Sequence, residues 1–377
     1  MDSTHRAVSR RRFLGQAMAA SSVPLGASAL LSTDSAAAHS PDRASRATAA
    51  DAPLPPQPSA RACPVAVPVS GHGGVPGPHC TPLEGDRIVL LGVSGGPGVN
   101  PFAVQTGSVL VVEDALYVVD CGQGTVRNIV LTALDLGKVN NLFITHNHPD
   151  HICDYEELLI QSYMFVELFG GEGGFGLDVW GPKAIKGITK DLLDPHGDFI
   201  AGAEDLFQLP ELAGAISTHG LKLRTEGLVM EDDRVRVSAL RVPHDPFEED
   251  TFAYKFETAR GTVVFSGDTP RFDPIIDFSA GADVLVHEAL YFPDLQGVFG
   301  DRLSPDQLEN FKQTHTEAEE VGRIAAAADV KRLVLNHLIP IFTGDDVWED
   351  EVRKHYGREL IVGKDRMQIS LDPVPAA

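Results

Sequence analysis

The sequence is 377 residues long and carries 31 Lys+Arg against 53 Asp+Glu, a formal charge of −22, with 43% hydrophobic residues and four cysteines. This is a globular composition, neither disordered nor disulfide-dense. Its acidity, with no Lys/Arg-rich run after the first dozen residues, argues against nucleic acid and anionic membranes as partners, and no apolar run reaches the roughly 20 residues that an integral membrane segment needs.

The chain opens with Ser9-Arg10-Arg11-Arg12-Phe13-Leu14, an arginine pair ahead of a mildly apolar, Ala/Ser-rich stretch that ends near Ala36-Ala37-Ala38. This segment resembles a twin-arginine export signal. Residues 1–38 are therefore expected to be a signal peptide, and the mature protein is expected to be periplasmic or secreted. Removing them takes away four arginines and two aspartates, so the acidity belongs to the mature chain. Residues 39–85, rich in Pro, Ala and Gly, read as a tether or extended arm. They contain Cys63 and Cys80, which could close a loop in an oxidising compartment. Cys121 and Cys153 lie beside apolar residues and read as buried thiols, with a second disulfide as the alternative.

Residues 86–377 read as a single α/β domain. Short apolar strands are expected at 88–91, 108–112, 116–120, 142–145, 177–180, 235–240, 252–256, 262–266, 284–286, 333–336 and 367–371, with helices at 126–136, 155–168 and 316–327. The early strands follow one another as hairpins and the later ones alternate with helices, which predicts two sheets with helices outside. Glycine-rich turns occur at 92–98 and 170–176; neither precedes a Lys-Ser/Thr pair, so a phosphate-cradling loop is not supported.

The most informative segment is Thr145-His146-Asn147-His148-Pro149-Asp150-His151, directly after an apolar strand. Alternation sends His146 and His148 to one side, and the turn at Pro149 lets Asp150 and His151 reach a second point nearby. That arrangement suits two metal ions. Three further candidate ligands follow apolar strands downstream: His244, Asp268 and His337. Asp268 sits in Ser266-Gly267-Asp268-Thr269, where small neighbours leave room for a bridging carboxylate.

With these residues the chain resembles the metallo-β-lactamase superfamily, and within it the RNase Z and arylsulfatase-like branch. The resemblance rests also on Asp120-Cys121-Gly122-Gln123-Gly124-Thr125, Trp180-Gly181-Pro182-Lys183, Val286-His287-Glu288-Ala289 and His315-Thr316. It implies an αββα sandwich with two metals at one edge, one held by His146, His148, His244 and Asp268, the other by Asp150, His151, Asp268 and His337. Two Zn2+ are the expected cofactors, with Mn2+ or Fe2+ as alternatives. The implied catalytic set is Asp150, Glu288 and His315, with His315 as proton donor oriented by Glu288. Two such ions, about 3.5–4 Å apart, would lower the pKa of a bridging water and supply a hydroxide near neutral pH.

The resemblance leaves the substrate open. Bacterial RNase Z carries a basic substrate arm between its third histidine and bridging aspartate, whereas here only 23 residues separate His244 from Asp268. That interval, the acidity and the export signal argue against tRNA processing. The expected substrate is a small ester of arylsulfate or phosphodiester type, with lactone or β-lactam opening as the alternative. A non-catalytic exported metal-binding protein is the rival from another class. A homo-oligomer is compatible with the sequence. Tyr291, Phe292, Phe247 and Phe175 are candidate pocket walls, with packing as the commoner role for such aromatics. His287 reads as a buried strand residue, and His196, His219 and His355 as histidines outside the site.

Overall fold

The structure is a computed structural model that describes residues 83–96, 98–99, 101–170, 174–244 and 250–372, and the backbone of 60–61. The signal segment and the Cys63–Cys80 pair lie outside the described residues. Two sheets form the framework. The first holds eight strands: β1 (Ala60–Arg61), β2 (Arg87–Gly92), β3 (Gly107–Val112), β4 (Ala115–Val119), β5 (Val139–Phe143), β6 (Leu177–Gly181), β7 (Ile216–Gly220) and β15 (Met367–Ser370), in the order β1-β15-β2-β3-β4-β5-β6-β7. The second holds β8 (Glu226–Glu231), β9 (Val235–Val242), β10 (Thr251–Thr258), β11 (Gly261–Phe265), β12 (Val284–Leu290), β13 (Arg332–Ile339) and β14 (Glu359–Val362), in the order β14-β13-β12-β11-β10-β9-β8.

Both sheets follow one plan. An antiparallel run (β15-β2-β3-β4 and β8-β9-β10-β11) passes into a parallel run (β4-β5-β6-β7 and β11-β12-β13-β14). Their inner faces meet in a core containing Tyr117, Phe143, Tyr254, Phe256, Val286 and Val334. The outer face of the first sheet packs on helices Thr125–Leu131 and Tyr155–Phe169, and that of the second on helix Ala318–Ala327 and Trp348. Every residue of β12 and β13 is buried, as expected of parallel strands covered on both faces. The layers are those of an αββα sandwich, in a single domain over the described residues.

The strands missed from sequence are edge or near-edge strands. Residues of β7, β8 and β14 are mostly half-buried or exposed, and the apolar runs of β8 and β14, Leu228-Val229-Met230 and Leu360-Ile361-Val362, are short. The helix expected over 126–136 is shorter: it ends at Leu131, Ala133 takes a left-handed φ of 59°, and a 3-10 turn covers Leu136–Lys138. The helix expected from Thr316 begins at Ala318. Cys153 corrects the expectation of a buried thiol: it is exposed, because it caps the short helix Pro149–Ile152 at the surface, while Cys121 is buried; both are free. No helix among the described residues is long and apolar enough to cross a membrane.

Candidate metal centre

Strand ends on one edge of both sheets deliver the site. After β5 the chain bends at Thr145 and reaches an extended His148, and Pro149 at the first helical position of Pro149–Ile152 turns Asp150 and His151 back inward. His244 follows β9. Asp268 follows β11 through Gly267, which only glycine can fill: its φ is +59°, and a side-chain Cβ there would stand 2.6 Å from the Phe252 carbonyl oxygen. Glu288 lies within β12. His315 ends helix Pro305–Thr314, whose start is fixed by the Ser304–Gln307 capping box.

His337 arrives by a different device. Along the parallel ladder Glu288 pairs with Asn336 but Ala289 pairs with Leu338, so His337 is an extra residue with no partner strand residue. Its φ of +42° marks the bulge. A bulge re-aims the side chain it carries, and this one aims at the two aspartates.

Asp268 Oδ2 is the centre of the cluster. It lies 3.1 Å from His337 Nε2, 3.3 Å from His151 Nε2, 3.7 Å from His244 Nε2, 3.8 Å from His146 Nε2 and 3.9 Å from His315 Nδ1. Asp150 Oδ2 is 3.2 Å from His337 Nε2 and 3.7 Å from His151 Nε2, and accepts the Gly96 N–H at 2.9 Å. His148 Nδ1 is 3.2 Å from His244 Nε2. All seven predicted ligands thus converge, as His146/His148/His244 on one side and Asp150/His151/His337 on the other, with Asp268 between.

The site passes a direct test of fit. His146 Nε2, His151 Nε2 and Asp268 Oδ1 are buried with no hydrogen-bond partner, a costly arrangement unless something else satisfies those lone pairs. They point into the cluster, and imidazole with carboxylate is a donor set for divalent transition ions. The electrostatics agree. Burial drives the His146 imidazole well below its usual pKa, with His151 adding to the fall, and pulls His244 down to about 4. Burial also opposes ionisation of Asp268, but His337 and His151 outweigh it and hold the carboxyl well below the usual range. His151 is pushed down by burial yet held well above its ordinary value by Asp268, Asp120 and Asp150. These clusters suit dinuclear metal binding.

Glu288 Oε2 lies 3.1 Å from His315 Nδ1, and Glu288 Oε1 accepts the backbone N–H of Thr269 (2.9 Å). Burial, with Asp268 close by, raises the Glu288 carboxyl well above its usual range, and burial lowers His315. His287 faces away, fully buried, its Nδ1 donating to the Glu288 carbonyl at 2.8 Å. Outside the site, His196 pairs with Glu156, His219 with Asp178 at 2.6 Å and His355 with Glu319 at 3.0 Å. Phe175 packs on Tyr163, Tyr291 on Trp348, and Phe292 lies under Lys312; Phe247 lies outside the described residues.

Two supporting features are visible in the sequence only as a motif and a turn with no role assigned. Asp120, left-handed (φ 61°) and buried after β4, sits 2.8 Å from His151 Nδ1 and accepts the Thr145 N–H at 2.8 Å. The glycine-rich turn after β2, which fails as a phosphate loop, meets the site at Gly95 and Gly96 instead: a Cβ at Gly95 would stand 2.5 Å from His337 Nδ1. The available signal is the same for both, a glycine-rich or acidic turn directly after a fully apolar strand.

Known proteins resemble this chain in sequence and fold. A family model described as a beta-lactamase superfamily domain matches residues 116–338. A ribonuclease Z from Mycobacterium sp. (strain KMS) is 27% identical over 294 residues, 76% of this chain and 96% of that protein. Among solved structures, the short form of human tRNase Z is 21% identical with a TM-score of 0.53, covering 76% of this chain and 100% of that one. The Zn2+-bound PqqB of Methylobacterium extorquens is 13% identical with a TM-score of 0.55, covering 75% and 99%.

These relatives correct one expectation. The exclusion of nucleic acid as a partner does not stand, because a ribonuclease Z matches this chain over 96% of its own length. The physical reason is that net charge sums the whole surface, whereas binding responds to the local field, and cations at the site would reverse that field where a substrate lands. The short His244–Asp268 interval, occupied by β10 and β11, excludes an arm at that one place only. On its motif geometry, its fold and the match over 116–338, this chain belongs to the beta-lactamase superfamily and is a metal-dependent hydrolase of the ribonuclease Z-like branch.

Proposed function

We propose that the protein is a dinuclear zinc phosphodiesterase acting on esters with poor, alkoxide leaving groups. The observation that carries this reading is the His315–Glu288 pair, 3.1 Å apart and set beside Asp268. An aryl ester, whether sulfate or phosphate, expels a phenolate that needs little protonation. An alkyl phosphodiester expels an alkoxide of high basicity, and a positioned acid is then worth about 10²–10⁴ in rate. Glu288 holds one ring nitrogen of His315 and so leaves the other to carry a proton to the departing oxygen. His146, His148, His244, Asp150, His151, Asp268 and His337 would hold the ions. When bound, the ions supply a nucleophilic water of lowered pKa and neutralise charge on the phosphoryl oxygens. The linkage in RNA is of this alkyl class, and the mycobacterial relative is named a ribonuclease Z. Zinc is the favoured metal from the His/Asp donor set and from the Zn2+-bound PqqB of the same fold.

The test is a substrate panel at fixed zinc and after chelation: an RNA with a 3′ extension, an alkyl phosphodiester, bis-p-nitrophenyl phosphate, p-nitrophenyl sulfate and a chromogenic cephalosporin. Metal-dependent cleavage of the RNA or the alkyl diester is expected. Turnover confined to the sulfate or to the cephalosporin would overturn the reading. Export through the arginine pair is part of the proposal; an Arg10→Lys/Arg11→Lys chain that still leaves the cytoplasm at the normal rate would remove it.

A further inference from the structure

One hydroxyl joins the two halves of the cluster. Thr145 Oγ1 lies 2.9 and 3.1 Å from the Asp120 carboxylate oxygens, 3.0 Å from His146 Nδ1 and 3.4 Å from His151 Nδ1. With both imidazoles neutral, as metal ligation requires, the donor count leaves one assignment. Asp120 as a carboxylate only accepts, so the single Thr145 hydroxyl proton goes to it. With that proton used, Thr145 Oγ1 can only accept from His146, which must carry its proton on Nδ1. Asp120 Oδ2, 2.8 Å from His151 Nδ1, requires a proton there too. Both rings then present an unprotonated Nε2 to the centre, and these are the two histidine nitrogens of the 146–151 segment that are buried without a partner.

We propose that Thr145, acting through Asp120, is a positioning residue that locks the tautomers of His146 and His151, one ligand on each ion, so that the two metal positions are tuned together. The inference rests on the dinuclear reading above. A metal-binding histidine whose other N–H is held by an oxygen is oriented and more basic, and loss of such a partner costs about 10–100-fold in metal affinity. Here a single Thr–Asp unit serves ligands of both positions. Elsewhere in the site the partners are separate: His244 Nδ1 donates to the Thr314 carbonyl at 2.6 Å, and His315 turns to Glu288.

The experiment compares Thr145→Val, which keeps the shape and drops the hydroxyl, with Thr145→Ser, which keeps the hydroxyl. Zinc affinity is read by competition with a chromogenic chelator on the full chain. Thr145→Val should weaken both ions, each by about 10–100-fold, and Thr145→Ser should stay within about threefold of the parent on the same scale. Unchanged affinity in Thr145→Val, weakening of one ion alone, or equal loss in Thr145→Ser would each overturn the proposal. Should Thr145→Val fail to fold, the parent protein decides: long-range 1H–15N correlation of the zinc-loaded chain should show His146 and His151 as Nδ1–H, and an Nε2–H form of either ring would refute it. A parent chain that holds fewer than two zinc ions breaks the dinuclear reading itself, a result distinct from any effect at Thr145.

Discussion

The two sheets contribute to the site in opposite styles. The first sheet supplies His146, His148, Asp150 and His151 from one seven-residue segment after β5, backed by Asp120 after the neighbouring β4. The second supplies His244, Asp268, Glu288 and His337 singly, from β9, β11, β12 and β13, and His315 from the helix end that faces them. The first half is compact in sequence and braced by a hydrogen-bonded unit. The second is assembled by strand order, and three of its five members depend on a local device of their own: Gly267 for Asp268, a bulge for His337, a helix terminus for His315. Damage to the first half should spread within it, whereas damage to the second should stay local, except at Asp268.

Asp268 is the sharpest place to break this contrast. Because its Oδ2 faces ligands of both groups, Asp268→Ala should bring metal content below one ion per chain by elemental analysis and lower turnover by at least about 10²-fold. Retention of both ions would show that the halves do not meet at this carboxylate. Next comes His315→Ala, expected to keep its metal but lose about 10²–10⁴ in rate on an alkyl phosphodiester, with little change on bis-p-nitrophenyl phosphate, whose leaving group needs no proton. Equal losses on both substrates would remove the leaving-group argument.

A smaller, one-sided effect is expected of Gly95→Ala. Its Cβ would press on the His337 ring, so zinc titration should show one weakened ion and one unchanged. Weakening of both would mean that the second half is coupled as tightly as the first. The mildest effect lies at Asp365, a half-buried carboxylate that accepts the Val93 N–H at 3.2 Å and the Val104 N–H at 2.8 Å, at the two ends of the loop that carries Gly95. Burial raises it to about 6. A raised folded-state value means that the protonated form is favoured in the fold, so this contribution to stability is full below the ordinary aspartate value of about 4 and is lost as pH rises through about 6. Unfolding free energies from urea titrations at pH 5 and pH 8 should therefore differ less in Asp365→Asn than in the parent, by about 1–1.5 kcal/mol. An identical difference in both proteins would exclude Asp365 as its source.

The same contrast explains what was legible in the sequence. The 146–151 segment could be read at once because its ligands are neighbours in the chain and alternate at the strand period. His244, Asp268 and His337 could be suspected from their places after apolar strands, and the resemblance to a known family ordered them. Nothing in the spacing announced that His337 sits on a bulge, since a register slip is a relation between β12 and β13, not a property of either. Nor could the work of Asp120 and Thr145 be read, because it lies in hydrogen bonds between chain segments 25 residues apart. The central strands, largely buried, were recognisable by their apolar stretches; β7, β8 and β14, mostly half-exposed at the sheet edges, were not. The exclusion of nucleic acid failed for the converse reason: a total charge was asked to answer a question about a local field.

The bulge at His337 also bears on how such a site is gained and lost. Since His337 is the surplus residue of the ladder, removing its codon would let Asn336 and Leu338 pair in unbroken register with Glu288 and Ala289. The strand would become more regular as the second ion lost a ligand. A soluble protein with a cooperative melt and a single zinc ion is the expected product of that deletion. A metallohydrolase of this design thus stands one in-frame triplet away from a well-folded, mononuclear descendant.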